Sequence, residues 1–203
     1  MTMAHTLTIH DEYIPRELTE LTNRSVTPEQ FERLCAEYSD WRLELTSTGE
    51  LIVMSGTGGR TGIRNSNLTH QLEAWSEIDG SGVCFDSSTI FALPNQARRS
   101  PDASWVKRER WDSLTERQQE TFPPICPDFV VELRSPTDRL STVCDKMLEY
   151  VENGALLGWL IDPFEFRVYV YRPGHELVIL DNPDTVSADP LLPGFTLNVM
   201  KLW

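Results

Sequence analysis

The segment that most constrains the fold is a short apolar run, Phe129–Leu133, which follows a Pro-Asp pair. An apolar run of this length, bounded by turn residues, is typical of a buried strand. A helical periodicity follows over 138–153 and ends at Gly154, in a C-cap position. A second apolar strand comes next, at 156–161. This order of strand, helix and strand predicts an α/β fold.

The rest of the chain adds more strands than a strict βαβ repeat would contain. Residues 1–26 have weak periodicity and predict an N-terminal arm, whereas 27–203 predict a single domain. A helix begins after Thr27, with Pro28 in the first helical position and Gln30 completing a capping box. We also predict a hairpin at 42–47 and 50–55, followed by a helix to about Ile78. A polar and mostly helical segment is predicted at 107–121. Short strands are predicted at 83–86, 89–93, 103–106, 166–171 and 177–180.

Composition excludes several classes of protein. The formal net charge is −13, and an acidic surface repels DNA and anionic lipid at long range, which disfavours non-specific coating of nucleic acid. No run approaches the ~18–20 apolar residues of a membrane helix. The first ten residues lack a secretory-signal pattern, so we expect a cytoplasmic protein. The four cysteines form no CxxC pair and the four histidines no HxxxH or HExxH pair, which leaves a cysteine or histidine metal centre unsupported.

One charged residue, Glu132, interrupts the apolar strand. A buried carboxylate is costly unless it is paired or binds a metal. Alternation places Glu132 and Arg134 on one face of the strand. Glu132 therefore either pairs with Arg134 across the strand end or serves as a metal ligand.

A second acidic residue, Asp102, opens an earlier strand after Pro101. Alone it would be an ordinary turn residue. Together with Glu132 it provides two carboxylates on strands, which suit a hard divalent cation. Mg²⁺ takes oxygen ligands and keeps several waters, and such an ion polarises a phosphodiester and helps ionise the attacking water.

The helix at 138–153 carries the third candidate, Lys146. It lies on the flank of the helix, from which a lysine can bury its stem and direct its ammonium group to a strand end. The alternative is a surface lysine that covers the helix edge. The predicted buried face comprises Leu140, Val143, Cys144, Met147 and Val151, and the predicted solvated face comprises Asp145, Glu149 and Glu152.

These segments together resemble the Uma-two family of restriction-endonuclease-like proteins, in the PD-(D/E)XK nuclease superfamily. The resemblance covers roughly residues 27–173. It rests on Pro101-Asp102, on 127–136 (PDFVVELRSP), on 145–150 (DKMLEY), on 158–163 (GWLIDP), and on the Gly49-Glu50 strand that leads into Thr57-Gly58-Gly59.

The resemblance implies a restriction-endonuclease-like mixed β-sheet flanked by helices, with an N-terminal helix and hairpin. It implies that Asp102 and Glu132 are the metal ligands, for Mg²⁺ or Mn²⁺. The superfamily's lysine position is Arg134 here, and arginine stays protonated but can bind phosphate. In the family the lysine often lies on the following helix, which fits Lys146.

The leading hypothesis is therefore a divalent-metal-dependent endonuclease that hydrolyses DNA, with Lys146 and Arg134 positioning water and the scissile phosphate. The alternative is a non-catalytic binding or assembly protein on the same scaffold, and a third option is hydrolysis of a smaller phosphodiester. Positive charge for a DNA partner is concentrated in 98–110, around Asp102, with five basic and two acidic residues. That stretch is either a phosphate-binding patch or a solvated loop whose tryptophans fill the core.

Three further features bear on the hypothesis. Arg60 and Arg64, near the start of a helix, can add anion contacts. Glu44 and Glu50 of the hairpin can add a carboxylate, although we expect both to be exposed. The apolar tail, 191–203, either forms the interface of a homodimer or closes the monomer's own core, which we favour.

Overall fold

A computed structural model describes residues 14–54 and 56–203 of the 203-residue chain. The described residues form two compact units. The first contains 14–54, 56 and 96–98, and the second contains 57–95 and 99–203. The boundary predicted at residue 26 stays a prediction.

The first unit consists of two helices and a hairpin. Its elements are α1 (Arg16–Leu21), α2 (Pro28–Glu37), β1 (Arg42–Leu45) and β2 (Leu51–Met54), and Leu45 pairs with Arg98 of the two-residue strand β5 (Arg98–Arg99). Helix α2 begins as predicted, because the Thr27 side chain accepts from the Gln30 backbone N–H and the Gln30 side chain accepts from the Thr27 backbone N–H. Gly49 lies in the turn of the hairpin with φ +84°, a backbone value that residues other than glycine rarely adopt.

Two expectations for this unit need correction. Residues 16–21, inside the predicted loose arm, form helix α1 with Leu18 fully buried; residues 1–13 of that arm lie outside the described residues, as does Ser55 of the predicted hairpin. Glu44 is 2% exposed, although we expected it at the surface. Burial does not alternate along β1, because the consecutive residues from Leu43 to Leu45 are all buried. Glu50 is exposed, as expected.

The second unit contains the longer helices and a six-stranded sheet. Its helices are α3 (Gly59–Asp79), α4 (Arg108–Asp112), α5 (Glu116–Glu120) and α6 (Leu140–Glu152), with a short 3-10 helix at Val199–Lys201. Its strands, besides Arg99 of β5, are β3 (Gly82–Asp86), β4 (Phe91–Ala92), β6 (Ala103–Lys107), β7 (Phe129–Leu133), β8 (Leu157–Asp162), β9 (Arg167–Tyr171), β10 (Val178–Asp181), β11 (Thr185–Ser187) and β12 (Thr196–Asn198).

The six-stranded sheet has the order β10-β9-β8-β7-β6-β3. Strands β7 and β8 are parallel and α6 connects them, whereas the other neighbours are antiparallel. A parallel pair needs a crossover connection, which α6 supplies. The predicted mixed sheet flanked by helices is thus confirmed. Among the described residues, no helix combines the length and apolar character required to cross a membrane.

The two faces of this sheet pack against different elements. Phe129, Val131 and Leu133 point into a core shared with α3, whose Leu68 and Leu72 are buried there. The intervening residues face α6. The C-terminal tail lies in the α3 core, through Leu192, Phe195, Leu197, Val199 and Leu202. The interpretation that the tail closes the monomer's own core is confirmed.

Candidate active site

Glu132 is held on the α6 face of β7 by two groups from that helix. The carboxylate is nearly buried, with the residue 7% exposed. Its Oε1 lies 2.8 Å from Lys146 Nζ and accepts a 2.9 Å hydrogen bond from the Tyr150 hydroxyl. A cation and a hydroxyl donor together offset much of the cost of burying a carboxylate inside an apolar strand.

Lys146 reaches Glu132 because of its position on the helix. The buried positions of α6 are Val143, Met147 and Tyr150, and Lys146 lies on the flank between them and solvent. Its side chain is 16% exposed and its ammonium lies 5.8 Å from the centre of the Tyr150 ring. The sequence expectation of a flank lysine directed at a strand is therefore met in its geometry.

Asp102 lies at the start of β6, beside the same part of β7. The register pairs Ala103 with Val131, so its continuation sets Asp102 opposite Glu132. Asp102 Oδ2 accepts a 2.8 Å hydrogen bond from the Leu133 backbone N–H, and Oδ1 accepts one of 3.1 Å from Asn65 Nδ2 on α3. The structure thus brings Asp102, Glu132 and Lys146 into one region.

Arg134 is directed elsewhere. Its Nη1 lies 2.7 Å from Asp162 Oδ2, and the Asp162 side chain is fully buried. The guanidinium also lies 5.6 Å from the centre of the Phe164 ring. The alternative in which Arg134 pairs with Glu132 is wrong, because the helix supplies the cation for Glu132 and the end of β8 supplies the anion for Arg134.

The donor set of this region fits a hard divalent cation. Asp102 and Glu132 offer anionic oxygen ligands, which is the ligand type that Mg²⁺ and Mn²⁺ take, and Mg²⁺ usually needs only one or two carboxylates beside water and phosphate oxygens. The described residues contain no cluster of three His, Cys, Asp or Glu side chains suited to a metal. Any ion held here would therefore complete its coordination with water or substrate.

Sequence reasoning missed two residues that orient the carboxylates. Asn65 was embedded in a polar helix and gave no signal. Tyr150 belonged to the motif that supports the family resemblance, but nothing in the sequence indicated that its hydroxyl reaches Glu132. Both contacts join elements far apart in the chain, so local patterning cannot reveal them.

The predicted solvated face of α6 is wrong at Glu149. Its side chain is 14% exposed and its Oε2 lies 2.6 Å from Arg99 Nε, while Asn95 Nδ2 donates to Oε1 at 2.9 Å. The segment that precedes β6 covers this part of the helix. Asp145 and Glu152 are exposed as predicted.

The basic stretch 98–110 is largely engaged within the protein. Arg99 pairs with Glu149, and Arg110 Nη1 lies 2.8 Å from Asp128 Oδ1. Trp105 is 1% exposed and lies in the core. These contacts favour the structural interpretation of the stretch over a continuous phosphate-binding patch.

A mixed sheet with a parallel β7–β8 pair, a crossover helix and acidic residues on adjacent antiparallel strands places this protein in the class with a restriction-endonuclease-like fold. A family model described as "Uma2: Putative restriction endonuclease" matches residues 28–200. The chain belongs to the Uma2 family.

A solved structure supports the same fold. The crystal structure of a "putative nuclease belonging to DUF820" from Anabaena variabilis ATCC 29413 matches with a TM-score of 0.74 and 23% sequence identity. The match covers 87% of this chain and 97% of that one. At this identity the likeness concerns the fold alone. No curated protein matches the chain.

Proposed function

We propose that this chain is a divalent-metal-dependent endonuclease that hydrolyses phosphodiester bonds of DNA. One observation carries the proposal. The Glu132 carboxylate lies 2.8 Å from Lys146, and the next residue of β7, Leu133, donates its backbone N–H to the Asp102 carboxylate at 2.8 Å. The proposal uses two carboxylates from neighbouring residues of paired strands and an amine from the helix that crosses them. Membership of the Uma2 family supports the same activity.

In this proposal Asp102 and Glu132 hold Mg²⁺ or Mn²⁺. The bound ion would polarise the phosphodiester and lower the pKa of the attacking water. The Leu133 backbone N–H and the Asn65 amide fix the direction of the Asp102 carboxylate, and the Tyr150 hydroxyl does the same for Glu132. Preorganised ligands of this kind need little rearrangement during the reaction.

Lys146 is proposed to neutralise charge that develops on the phosphate and to orient the attacking water. The flexible four-carbon side chain of Lys146 lets its ammonium move between Glu132 and a substrate oxygen. Arg134, whose side chain is 21% exposed, is proposed to bind phosphate while Asp162 keeps it in place. Arginine suits that role because it stays charged and presents several donors.

The test is cleavage of plasmid DNA with Mg²⁺ or Mn²⁺ by the wild type, Asp102→Ala and Glu132→Ala. Glu149→Gln is the matched control, since Glu149 is a similarly buried carboxylate paired with an arginine. We expect cleavage by the wild type and the control only. Equal cleavage by all four proteins, or none by the wild type with either metal, would contradict the proposal.

A non-catalytic binding or assembly protein on this scaffold is the second candidate. It is favoured by the net charge of −13 and by the arginine that stands in place of the superfamily's strand lysine. Calorimetric titration with Mg²⁺ separates the two. A folded wild type that binds no metal would support the second candidate.

The cell compartment and the oligomeric state are proposed on the basis of the sequence. We propose a cytoplasmic protein, and the four cysteines are free thiols, as expected in a reducing compartment. A homodimer is proposed because nucleases that cut both strands often use a two-fold pair of sites, and homo-oligomers are usually two-fold. Sedimentation of the full chain measures this, and a monomer at all concentrations would contradict it.

A further inference from the structure

The second unit contains a cavity of about 510 Å³ whose lining combines aromatic rings with arginines. Its volume falls in the range of about 300–1,000 Å³ typical of small-ligand sites. The lining residues are Arg60, Thr61, Arg64, Pro136, Pro163, Phe164, Phe166 and Trp203. We call it the aromatic cavity.

The rings of the aromatic cavity lie mainly on the turn between β8 and β9. Phe164 and Phe166 are 41% and 46% exposed, and the Phe166 ring lies 5.6 Å from that of Trp203 in an edge-on arrangement. Phe166 has φ +53°, a left-handed conformation that is unfavourable for a bulky side chain. Exposed rings held at a strained turn point to a ligand rather than to core packing.

The cations of the aromatic cavity come from the first turns of α3. The Arg64 guanidinium is fixed by a 2.7 Å hydrogen bond to the Leu202 carbonyl and lies 5.9 Å from the Phe164 ring centre. Arg60 is exposed, and no carboxylate in the part of the chain that the structure describes pairs with it. The helix N-terminus adds positive partial charge at the same place.

The aromatic cavity adjoins the candidate metal ligands through two neighbouring residues. Arg134, two positions beyond Glu132, contacts the Phe164 ring. Asn65, which follows Arg64, donates to Asp102. The aromatic cavity therefore lies next to residues that neighbour or contact both candidate metal ligands.

We propose that the aromatic cavity binds one unpaired base of a DNA strand on its rings, with a flanking phosphate at Arg60. The inference rests on the proposed function and deepens it, because it assigns single-stranded or locally unpaired DNA as the substrate. Aromatic rings stack on any base and favour unpaired strands, since bases within a duplex are already stacked. The arginines complement the phosphate charge.

The test is binding of a fluorescein-labelled oligo(dT) in EDTA, followed by fluorescence anisotropy, so that binding is measured without cleavage. We expect Phe164→Leu and Arg60→Ala each to weaken binding by about tenfold, the effect of losing one stacking or phosphate contact. Phe164→Trp, which keeps an aromatic ring, should retain affinity. Arg117→Ala and Leu177→Ala, at exposed positions outside the cavity, should bind like the wild type.

Three results would overturn the inference. The first is equal affinity of all variants for oligo(dT). The second is an equal loss of affinity for a blunt duplex of the same length, because the cavity would then contact only the backbone. The third is binding of deoxynucleoside monophosphate alone, without binding of the oligonucleotide.

Cleavage of plasmid and of a single-stranded oligonucleotide with Mg²⁺, measured separately, distinguishes this inference from the proposed function. Unchanged oligo(dT) binding in variants of a wild type that cleaves DNA would remove the cavity proposal and leave the endonuclease. Weakened binding in those variants, with no cleavage of either DNA by the wild type, would support the cavity and remove the endonuclease.

Discussion

Helix α6 makes two ion pairs that are alike in geometry and different in setting. Lys146 lies 2.8 Å from Glu132, and Glu149 lies 2.6 Å from Arg99, with side chains between 9% and 16% exposed. Burial and distance therefore do not separate a reactive group from a structural one. The difference lies in the neighbours, because Glu132 has a second carboxylate across the strand at Asp102, whereas Glu149 has the Asn95 amide.

The cations of the two pairs differ as well. The Arg99 guanidinium is a rigid fork and its Nε is held by Glu149, whereas the Lys146 ammonium is a mobile point charge. A mobile cation held at a carboxylate can move toward a bound substrate. A fixed fork suits a contact that fastens α6 to the segment before β6. We therefore propose a chemical role for the Lys146–Glu132 pair and an anchoring role for the Arg99–Glu149 pair.

The largest expected difference between the pairs is in cleavage. Glu132→Gln should lower the rate of plasmid cleavage by about 100-fold or more, the loss typical of a group that acts in the transition state. Glu149→Gln should leave the rate within a few-fold of wild type. Rates are measured with Mg²⁺ at matched folded protein. Similar losses in both variants would erase the distinction between the pairs.

The second expected effect is on stability, where the pairs should behave alike. Lys146→Met leaves Glu132 without its cation, and Arg99→Met does the same to Glu149. Each should cost about 3–5 kcal/mol of unfolding free energy, since an uncompensated buried carboxylate is strongly destabilising. Urea denaturation measures this.

Double variants provide the control for this second prediction. Lys146→Met with Glu132→Leu, and Arg99→Met with Glu149→Leu, should each recover most of the lost stability, because an apolar pair replaces an ionic one at little net cost. A double variant no more stable than its single variant would mean that the loss came from packing and not from charge.

A third, smaller effect concerns the glycine beneath α6. A Cβ on Gly158 would lie 2.5 Å from the Met147 methyl and 3.4 Å from Val130 Cγ2. Gly158→Ala should therefore displace the Met147 side chain beneath Lys146, costing about 1–3 kcal/mol and lowering cleavage if the helix moves with it. Gly82→Ala is the control, because its Cβ would meet the Trp105 ring on the opposite face. It should lower stability without an added loss of cleavage per folded molecule.

The smallest effect is on a thiol near the Glu149 end of α6. Cys126 Sγ donates to the Tyr150 carbonyl at 3.5 Å, and burial raises the pKa of this thiol to about 12. Alkylation by N-ethylmaleimide at pH 8 should therefore be slow, because little thiolate is present in the folded protein. Peptide mapping should show faster modification in Arg99→Met than in Glu132→Gln, and equal rates would argue against an anchoring role for Arg99.

Much of the fold could be predicted from the sequence because its strands and helices carry local signals. The apolar run at Phe129–Leu133 is a strand with the predicted bounds, and the capping box at Thr27 begins α2. The flank position of Lys146 also followed from helical periodicity alone. Local patterns did not indicate which residues, distant in the chain, each side chain contacts.

Glu44 and Glu149 illustrate that limit. Glu44 was expected at the surface as a strand glutamate and is buried, and Glu149 was expected there from helical periodicity but contacts Arg99 and Asn95, which are distant in the chain. For the candidate site, the sequence indicated the residue types but not the partners Asn65 and Tyr150. Their contacts depend on helix packing, which no local pattern encodes.

The hydrogen bond from the Leu133 backbone N–H to Asp102 has an evolutionary consequence. It ties the Asp102 carboxylate to a main-chain atom of the neighbouring strand β7, one residue after Glu132, besides its contact with the Asn65 side chain. The place of Asp102 beside β7 then depends less on the volume of the apolar residues beneath the sheet. Substitutions among those apolar residues can therefore accumulate while Asp102 keeps its place next to Glu132 in the strand register.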